Sequence, residues 1–116
     1  MSIQRYHVGP RLSEIVVHNN TVYLAGQVAE ATLKLGVKAQ TEETLGMIDR
    51  LLGEVGSDKT KILTAQIWLA DMADYDGMNE AWSAWVPQGH TPARATVESK
   101  LASPDYKVEI KIVAAL

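Results

Sequence analysis

The arginine in the run TPARATVE, residues 91–98, is the side chain best suited to receive a ligand. Arg94 is permanently charged and offers a planar fork of donors that matches a carboxylate. The run KVEIKIV, residues 107–113, alternates as a strand would and carries Glu109 on its polar face. We therefore expect Arg94 to bind a small carboxylate and Glu109 to handle water or protons beside it.

Both residues also have a purely structural interpretation. Arg94 can form an ion pair with Glu98 or Glu109, as surface arginines commonly do. Glu109 lies between Lys107 and Lys111 and can belong to a solvated charged face. The presence of both residues on the polar sides of strands favours a site, but the sequence leaves the two interpretations open.

Other catalytic chemistries have little support in the 116 residues. The chain has no cysteine, which excludes disulfides, thiolate metal sites and a cysteine nucleophile. The three histidines are scattered without metal-ligand spacing, and no GxSxG, Walker or GxGxxG motif occurs. Net charge is −3, the wrong sign for a nucleic-acid partner. We expect no cofactor, no metal and no nucleic acid.

The length predicts one domain spanning residues 1–116. No apolar run approaches the roughly 20 residues of a membrane span, so we expect no membrane partner. The N-terminal run MSIQRYHVGP lacks the basic start and apolar block of a secretory signal. These features, with the absence of cysteine, favour a cytoplasmic location.

Alternation and helical periodicity predict six strands and two helices in the order β-β-β-α-β-α-β-β. Strands in hairpins with helices in crossovers predict an α+β fold, a mixed sheet with both helices on one face. The predicted strands cover residues 3–7, 12–18, 21–28, 61–70, 91–98 and 107–113, and the predicted helices cover 39–55 and 75–86.

The third strand carries two local signals. Asn19 and Asn20 precede it, and a two-residue Asn connection predicts a tight hairpin. Gly26 interrupts it, which indicates either a bulge or a place where a ligand meets bare backbone. Simple alternation places Gln27 on the face opposite Val22.

The helices show their own signals. Glu42 and Glu43 are predicted to lie in the opening turns of the first helix, and Asp74 to cap the second. Trp82 and Trp85 suit core packing, although Trp85 lies near the helix end, where it can reach a ligand. The first helix should bury one stripe, made of Leu45, Ile48, Leu52 and Val55.

The two faces of the sheet are expected to differ. The fourth strand should turn an apolar row toward the helices, made of Leu63, Ala65, Ile67 and Leu69. The opposite face is then expected to have a mixed polar and apolar character. Its side chains are those of Gln27, Thr64, Gln66, Trp68, Arg94, Thr96, Glu98 and Glu109. A face of that mixed character favours contact with further copies in a closed homo-oligomer, with sites at the seams.

Five short motifs, in order along nearly the whole chain, resemble the Rid family of imine and enamine deaminases (the RidA/YjgF group). The resemblance implies a chorismate-mutase-like fold and a barrel-forming homotrimer with helices outside and three clefts between subunits. The motifs are Ala25-Gly26-Gln27, Gln40-Thr41 with Leu45, Leu69-Ala70-Asp71 with Met78-Asn79, Pro92-Ala93-Arg94 with Val97, and Val108-Glu109-Ile110.

The resemblance also implies an activity, the hydrolysis of reactive 2-imino or enamine acids to 2-keto acids and ammonia without a cofactor. In the family the matching arginine, here Arg94, binds the carboxylate, and the matching acid, here Glu109, orients the attacking water. Backbone groups around Gly26 and Ala93 help to hold the ligand. A non-catalytic small-carboxylate-binding trimer, such as a metabolite sensor or a chaperone-like protein, is the alternative.

The chain departs from the usual family pattern at three positions near the expected ligand. Leu12, Ala25 and Thr96 stand where the family usually has tyrosine, serine and cysteine. With Trp85 they complete the expected ligand-binding set. The segment Arg11-Leu12-Ser13, with the tryptophans of the second helix, resembles a divergent branch of the family. RNA cleavage has also been attached to relatives, and the acidic balance of the chain ranks it last.

Overall fold

The computed structural model describes residues 2–116 and contains the predicted six strands and two helices in the predicted order. The α+β class is thereby confirmed, and only the third strand departs from its predicted bounds by more than two residues. The strands are β1 Gln4–Val8, β2 Ser13–His18, β3 Thr21–Leu24, β4 Ile62–Leu69, β5 Ala93–Glu98 and β6 Val108–Ala115, and the helices are α1 Val37–Glu54 and α2 Tyr75–Trp85.

The six strands form one mixed sheet in the order β1-β2-β3-β6-β4-β5. Only β4 and β5 run parallel, because the crossover through α2 returns the chain to the same end of the sheet. Both helices pack on one face and bury the core there. The other face, which we call the open face, carries no helix within residues 2–116. In this strand order β6 lies inside the sheet and β5 lies at its edge.

The hairpin between β2 and β3 is confirmed. Asn19 and Asn20 have φ values of 51° and 60°, in the left-handed region that asparagine tolerates. Two successive residues of this kind suit a type I′ turn, whose twist matches the strands on either side.

Strand β3 ends at Leu24, four residues earlier than predicted. Pairing with β6 shifts by one residue between the Tyr23–Val113 pair and the Gln27–Ile110 bridge. The extra residue is the bulge that Gly26 indicated. It reverses the alternation, so Gln27 is buried on the helix side and its prediction on the open face was wrong.

Strand β4 contains a second irregularity of register, between Ile62 and Thr64. Ile62 takes the buried place, and Leu63 is 54% exposed. The prediction that Leu63 faces the core was therefore wrong. Ala65, Ile67 and Leu69 are buried as expected, since regular alternation resumes after the irregularity.

Helix α1 buries Leu45, Ile48 and Leu52 of its predicted stripe, while Val55 is the C-cap residue and is half-buried. The helix begins at Val37, so Glu42 and Glu43 lie in its second turn, and its first turn contains no acid.

The carboxylate of Glu43 instead fastens the loop between β3 and α1. It accepts hydrogen bonds from the backbone N–H groups of Ala31 and Thr32 at 2.9–3.2 Å, and from the Thr32 hydroxyl at 2.6 Å. The Ala31 N–H, followed by the Thr32 hydroxyl, lowers the pKa of Glu43 to about 2. Glu43 therefore fixes the part of this loop that lies four to six residues after Gly26.

Gln40 ties α1 to the segment that leads into β6. Its side chain is fully buried, donates to the Asp105 carbonyl at 3.1 Å and accepts from the Lys107 N–H at 2.9 Å. The buried amide is satisfied at both ends, as a buried polar group must be. Gln40 thus anchors the start of the strand that carries Glu109.

Helix α2 is preceded by a 3₁₀ turn, Met72–Asp74. Asp74 occupies the N-cap position of α2, but its side chain makes no capping hydrogen bond. Asp71 caps the 3₁₀ turn through the Ala73 N–H at 2.9 Å. Trp82 is buried in the core, as predicted. Within residues 2–116 we find no helix with the length and apolar character that a bilayer span demands.

Candidate functional site

Arg94 faces the helices and not the open face. In the parallel pairing it lies beside Ala65, a residue of the buried row. Paired residues project to the same side of a sheet, so Arg94, Thr96 and Glu98 all lie on the helix side. Their predicted placement on the open face was wrong, because alternation shows which residues share a face but not which face it is.

Helix α2 provides the contacts of Arg94. Its Nη1 donates to Asn79 Oδ1 at 2.7 Å, and its Nη2 donates to the Tyr75 hydroxyl at 3.2 Å. Its guanidinium carbon lies 5.3 Å from the centroid of a Trp82 ring and 5.9 Å from that of Tyr75. Tyr75, Asn79 and Trp82 share one face of α2 at i, i+4 and i+7, and we call these three residues the Arg94 cradle.

The cradle leaves the charge of Arg94 unneutralised. Across residues 2–116 Arg94 forms no ion pair, so the alternative of a bridge to Glu98 or Glu109 was wrong. Glu98 instead accepts from the Met72 N–H at 2.8 Å. The Arg94 side chain is half-buried, and both its hydrogen-bond partners are neutral.

Thr96 lies between Arg94 and Glu98 on the same side of β5. Its hydroxyl oxygen is buried and has no hydrogen-bond partner in the part of the chain that the structure describes. An unsatisfied buried hydroxyl costs about 1–3 kcal/mol of stability. Together with Arg94 and Glu98, Thr96 makes the helix side of β5 polar. Ala93 projects to the other side and is exposed.

Glu109 lies on the open face and is in contact with Gly26. It pairs with Trp68, whose side chain alternates with the buried row. A Cβ atom placed on Gly26 would lie 2.0 Å from Glu109 Oε2. Only glycine leaves room for that carboxylate, so the bulge and a close approach to bare backbone coincide here.

One chain does not bring Arg94 and Glu109 together. They lie on opposite sides of the sheet, with β4 between their strands and a three-residue offset along them. Their Cα atoms are therefore about 14 Å apart by strand geometry. A single chain therefore does not place the two residues side by side, and their joint role at one site stays a prediction.

The other predicted ligand-binding residues are spread over the fold. Ala25 lies next to Gly26 and donates its N–H to the Glu14 carbonyl at 3.0 Å. Leu12 lies in the turn between β1 and β2, accepts from the Gly9 N–H at 2.8 Å and is exposed. Ala25 is thus the chain neighbour of the glycine that contacts Glu109, and the roles of Ala25 and Leu12 toward a ligand stay predictions.

Trp85 packs between the helices. Its Nε1 donates to Asp49 Oδ2 on α1 at 2.8 Å, and the Lys59 ammonium lies 5.3 Å from its ring centroid. Its ring lies 5.5 Å from that of Trp82. These contacts hold Trp85 beside the cradle but direct its polar group to α1, so its role in binding stays a prediction.

Sequence reasoning missed two residues of the cradle, Tyr75 and Asn79. Asn79 was part of a family motif but received no role. Their helical spacing with Trp82 was visible in the sequence. What was not visible is that Arg94 lies on the helix side, since that depends on the pairing of β5 with β4.

Comparison with known proteins agrees with this architecture. The family model described as Endoribonuclease L-PSP matches residues 3–116. A RutC family protein of Haemophilus influenzae is 55% identical over 98% of both chains. Reactive Intermediate Deaminase A, chloroplastic, of Arabidopsis thaliana is 32% identical, over 94% of this chain and 60% of that protein. A YjgF-family crystal structure from Neisseria meningitidis superposes with a TM-score of 0.96 at 48% identity, covering 99% of this chain and 95% of that one.

These matches span nearly all of the chain, and together with the six-stranded mixed sheet they define the class of protein. The chain belongs to the Rid family, also described as the YjgF, RutC or Endoribonuclease L-PSP family. The family membership expected from the five motifs is confirmed.

Proposed function

We propose that this protein hydrolyses reactive 2-imino and enamine acids to 2-keto acids and ammonia, acting on C=N bonds without a cofactor. The observation that carries the proposal is Arg94, a half-buried cation oriented by neutral groups alone. A charge held in place without a protein counter-ion is suited to an anionic ligand. The plant relative named Reactive Intermediate Deaminase A supports the reaction class.

The chemistry asks little of the protein beyond positioning. An iminium carbon is already electrophilic, and Arg94 would fix its neighbouring carboxylate. Glu109 would orient a water molecule and accept its proton as the oxygen attacks the carbon. Glu109 then returns that proton to the amine nitrogen, and the C–N bond breaks. The departing ammonia takes the hydroxyl proton and leaves as ammonium, and the carbon is left as the carbonyl of a 2-keto acid.

We also propose that the site is completed between copies of the chain in a homotrimer. Arg94 and Glu109 project from opposite sides of one sheet, so only a second copy can bring an Arg94 to a Glu109. Tyr23 and Val97 are exposed apolar residues on the open face, where another copy can cover them. Each cleft would then combine the Arg94 cradle of one subunit with the Glu109–Gly26 contact of its neighbour.

An imine assay tests the activity. Imines generated in place by an amino-acid oxidase should release ammonia and keto acid faster with the protein than in buffer. Arg94→Ala should abolish this acceleration, whereas Arg50→Ala, which removes an exposed arginine from α1, should retain it. If the wild-type protein gives the buffer rate with every amino-acid precursor, the proposed activity is wrong.

A carboxylate-binding protein without catalysis is the second candidate. It is favoured by Ala25 and Leu12, which offer no side-chain hydroxyl where the family usually has one. Calorimetric titration with 2-keto acids would then show binding that depends on Arg94, while the imine assay shows no turnover. Turnover that depends on Glu109 excludes this candidate.

RNA cleavage, which the family description suggests, has less support in this chain. The net charge of −3 opposes binding to a phosphate backbone, since such binding rests on Lys and Arg neutralising phosphates. We therefore place the small carboxylate first.

A further inference from the structure

Tyr75 has a hydrogen-bonding group that the Arg94 cradle does not use. Its hydroxyl oxygen lies 3.2 Å from Arg94 Nη2. A guanidinium has donors and no acceptor, so in this contact the phenol oxygen must accept. The phenol hydrogen is then free to donate to a third group.

The surroundings of Tyr75 leave space for that third group. Tyr75 is 39% exposed and lines an open depression of about 500 Å³ with Met72, Ala73 and Asp76. Its position at the first turn of α2 and its contact with Arg94 hold the ring in place. Tyr75 therefore contacts the guanidinium of Arg94 and also lines this open depression.

Arg94 also has N–H groups that make no hydrogen bond to the cradle. Of its five N–H groups, one on Nη1 is used by Asn79 and one on Nη2 by Tyr75. A carboxylate that binds the remaining Nη2 hydrogen comes within reach of the phenol hydrogen, because the two donor atoms are neighbours. Two donors on one carboxylate fix its orientation as well as its position.

We propose that Tyr75 is a ligand-binding residue, which donates a hydrogen bond to the carboxylate of a 2-imino or 2-keto acid bound by Arg94. This inference rests on the proposed function and adds to it a donor that the family resemblance does not assign. It gives the site a hydroxyl although Ala25 has none.

Calorimetric titration with 2-oxobutyrate tests the inference on wild type, Tyr75→Phe, Arg94→Ala and Tyr106→Phe. Tyr75→Phe keeps the ring over Arg94 and removes only the hydroxyl, so Kd should rise about fivefold to tenfold. Tyr106→Phe removes a hydroxyl from a tyrosine that lines a different cavity and should leave Kd unchanged. Thermal unfolding of all four proteins checks that they are folded.

A fluorinated tyrosine separates direct donation from an effect through Arg94. 3-Fluorotyrosine at position 75 is a stronger donor and a weaker acceptor than tyrosine while its phenol stays protonated. Direct donation to the ligand predicts tighter binding of 2-oxobutyrate. If Tyr75 acts only by accepting a hydrogen bond from Arg94, the fluorotyrosine protein should bind 2-oxobutyrate more weakly. That result would overturn the inference.

The outcomes also separate this inference from the proposed function. If wild type binds 2-oxobutyrate, Arg94→Ala does not, and Tyr75→Phe binds as wild type does, the inference is wrong and the carboxylate site stands. If wild type shows no binding of 2-oxobutyrate, the inference is wrong, and the imine assay alone decides the proposed activity. Weaker binding by Tyr75→Phe with tighter binding by the fluorotyrosine protein supports both.

Discussion

Arg94 and Glu109 are held in two different ways. Arg94 lies on the edge strand β5, and its direction depends on three side chains of α2. Glu109 lies on β6, with a strand on either side, and its carboxylate rests against backbone at Gly26. The orientation of the guanidinium therefore depends on neighbouring side chains, whereas the position of the carboxylate requires that residue 26 has no side chain. Substitutions in the two regions should affect different steps of the reaction.

Among substitutions of the residues that surround the two charged groups, Gly26→Ala is expected to have the largest effect. The added methyl would occupy the place of Glu109 Oε2, so the flexible Glu109 side chain must turn away. Loss of an oriented general base should lower kcat by about 100-fold with little change in KM. Steady-state kinetics with imines generated in place measures both constants.

Gly46→Ala is the matched control for Gly26→Ala. Gly46 lies in α1, and a Cβ there meets nothing within 4 Å. This variant should be more stable by about 0.5–1 kcal/mol and retain wild-type kinetics. Wild-type kcat in Gly26→Ala would show that the Glu109–Gly26 contact has no part in the reaction.

A smaller effect is expected in the cradle, from Asn79→Asp. The carboxylate has the shape of the amide but would pair with Arg94 and neutralise it. Binding of 2-oxobutyrate should weaken by about tenfold or more, and more than in Asn79→Ala, which only loosens the guanidinium. Titration of both variants with 2-oxobutyrate tests this prediction. If Asn79→Ala binds more weakly than Asn79→Asp, the main role of Asn79 is not to leave the charge of Arg94 unneutralised.

The smallest effect is expected from substitution of Glu43, which holds a loop and has no predicted role in the reaction. Its folded-state pKa of about 2 lies below the ordinary value of 4.5, so its hydrogen bonds stabilise the fold fully above pH 4.5. That contribution is lost as the pH falls from 4.5 toward 2, since protonation then favours the unfolded chain. Glu43→Ala should lower the free energy of unfolding at pH 7 by about 1 kcal/mol.

Denaturant unfolding of Glu43→Ala and wild type between pH 7 and pH 2 measures this contribution. The difference between the two proteins should shrink across the pH window below 4.5. Glu42→Ala, the exposed neighbour on α1, controls for the loss of one surface acid. A difference that stays constant down to pH 2 would contradict the role given to the Glu43 carboxylate.

Local patterns in the sequence were sufficient to predict the elements of the fold. The hairpin at Asn19-Asn20 follows from turn chemistry within a few residues, and the α1 stripe follows from helical periodicity. The bulge at Gly26 was also indicated by a single residue. These features are local, so pairing with distant strands did not have to be known.

The faces of the sheet could not be predicted in the same way. Arg94 alternates correctly with its neighbours, but its side of the sheet is fixed by pairing with β4, far away in sequence. Gln27 and Leu63 were misplaced because each lies at or directly after a one-residue irregularity of register, where simple alternation fails. The cradle around Arg94 depends on the same long-range pairing, so only the structure could reveal it.

Subunit complementation tests most directly whether Arg94 and Glu109 act together across two copies. Arg94→Ala and Glu109→Gln chains with different tags are co-expressed, and assemblies that carry both tags are purified. In the proposed homotrimer, every such assembly has one junction in three that joins an intact Arg94 to an intact Glu109, so activity should recover to about one third of wild type while each variant alone stays inactive. Mixed trimers as inactive as the parents would contradict a site shared between subunits.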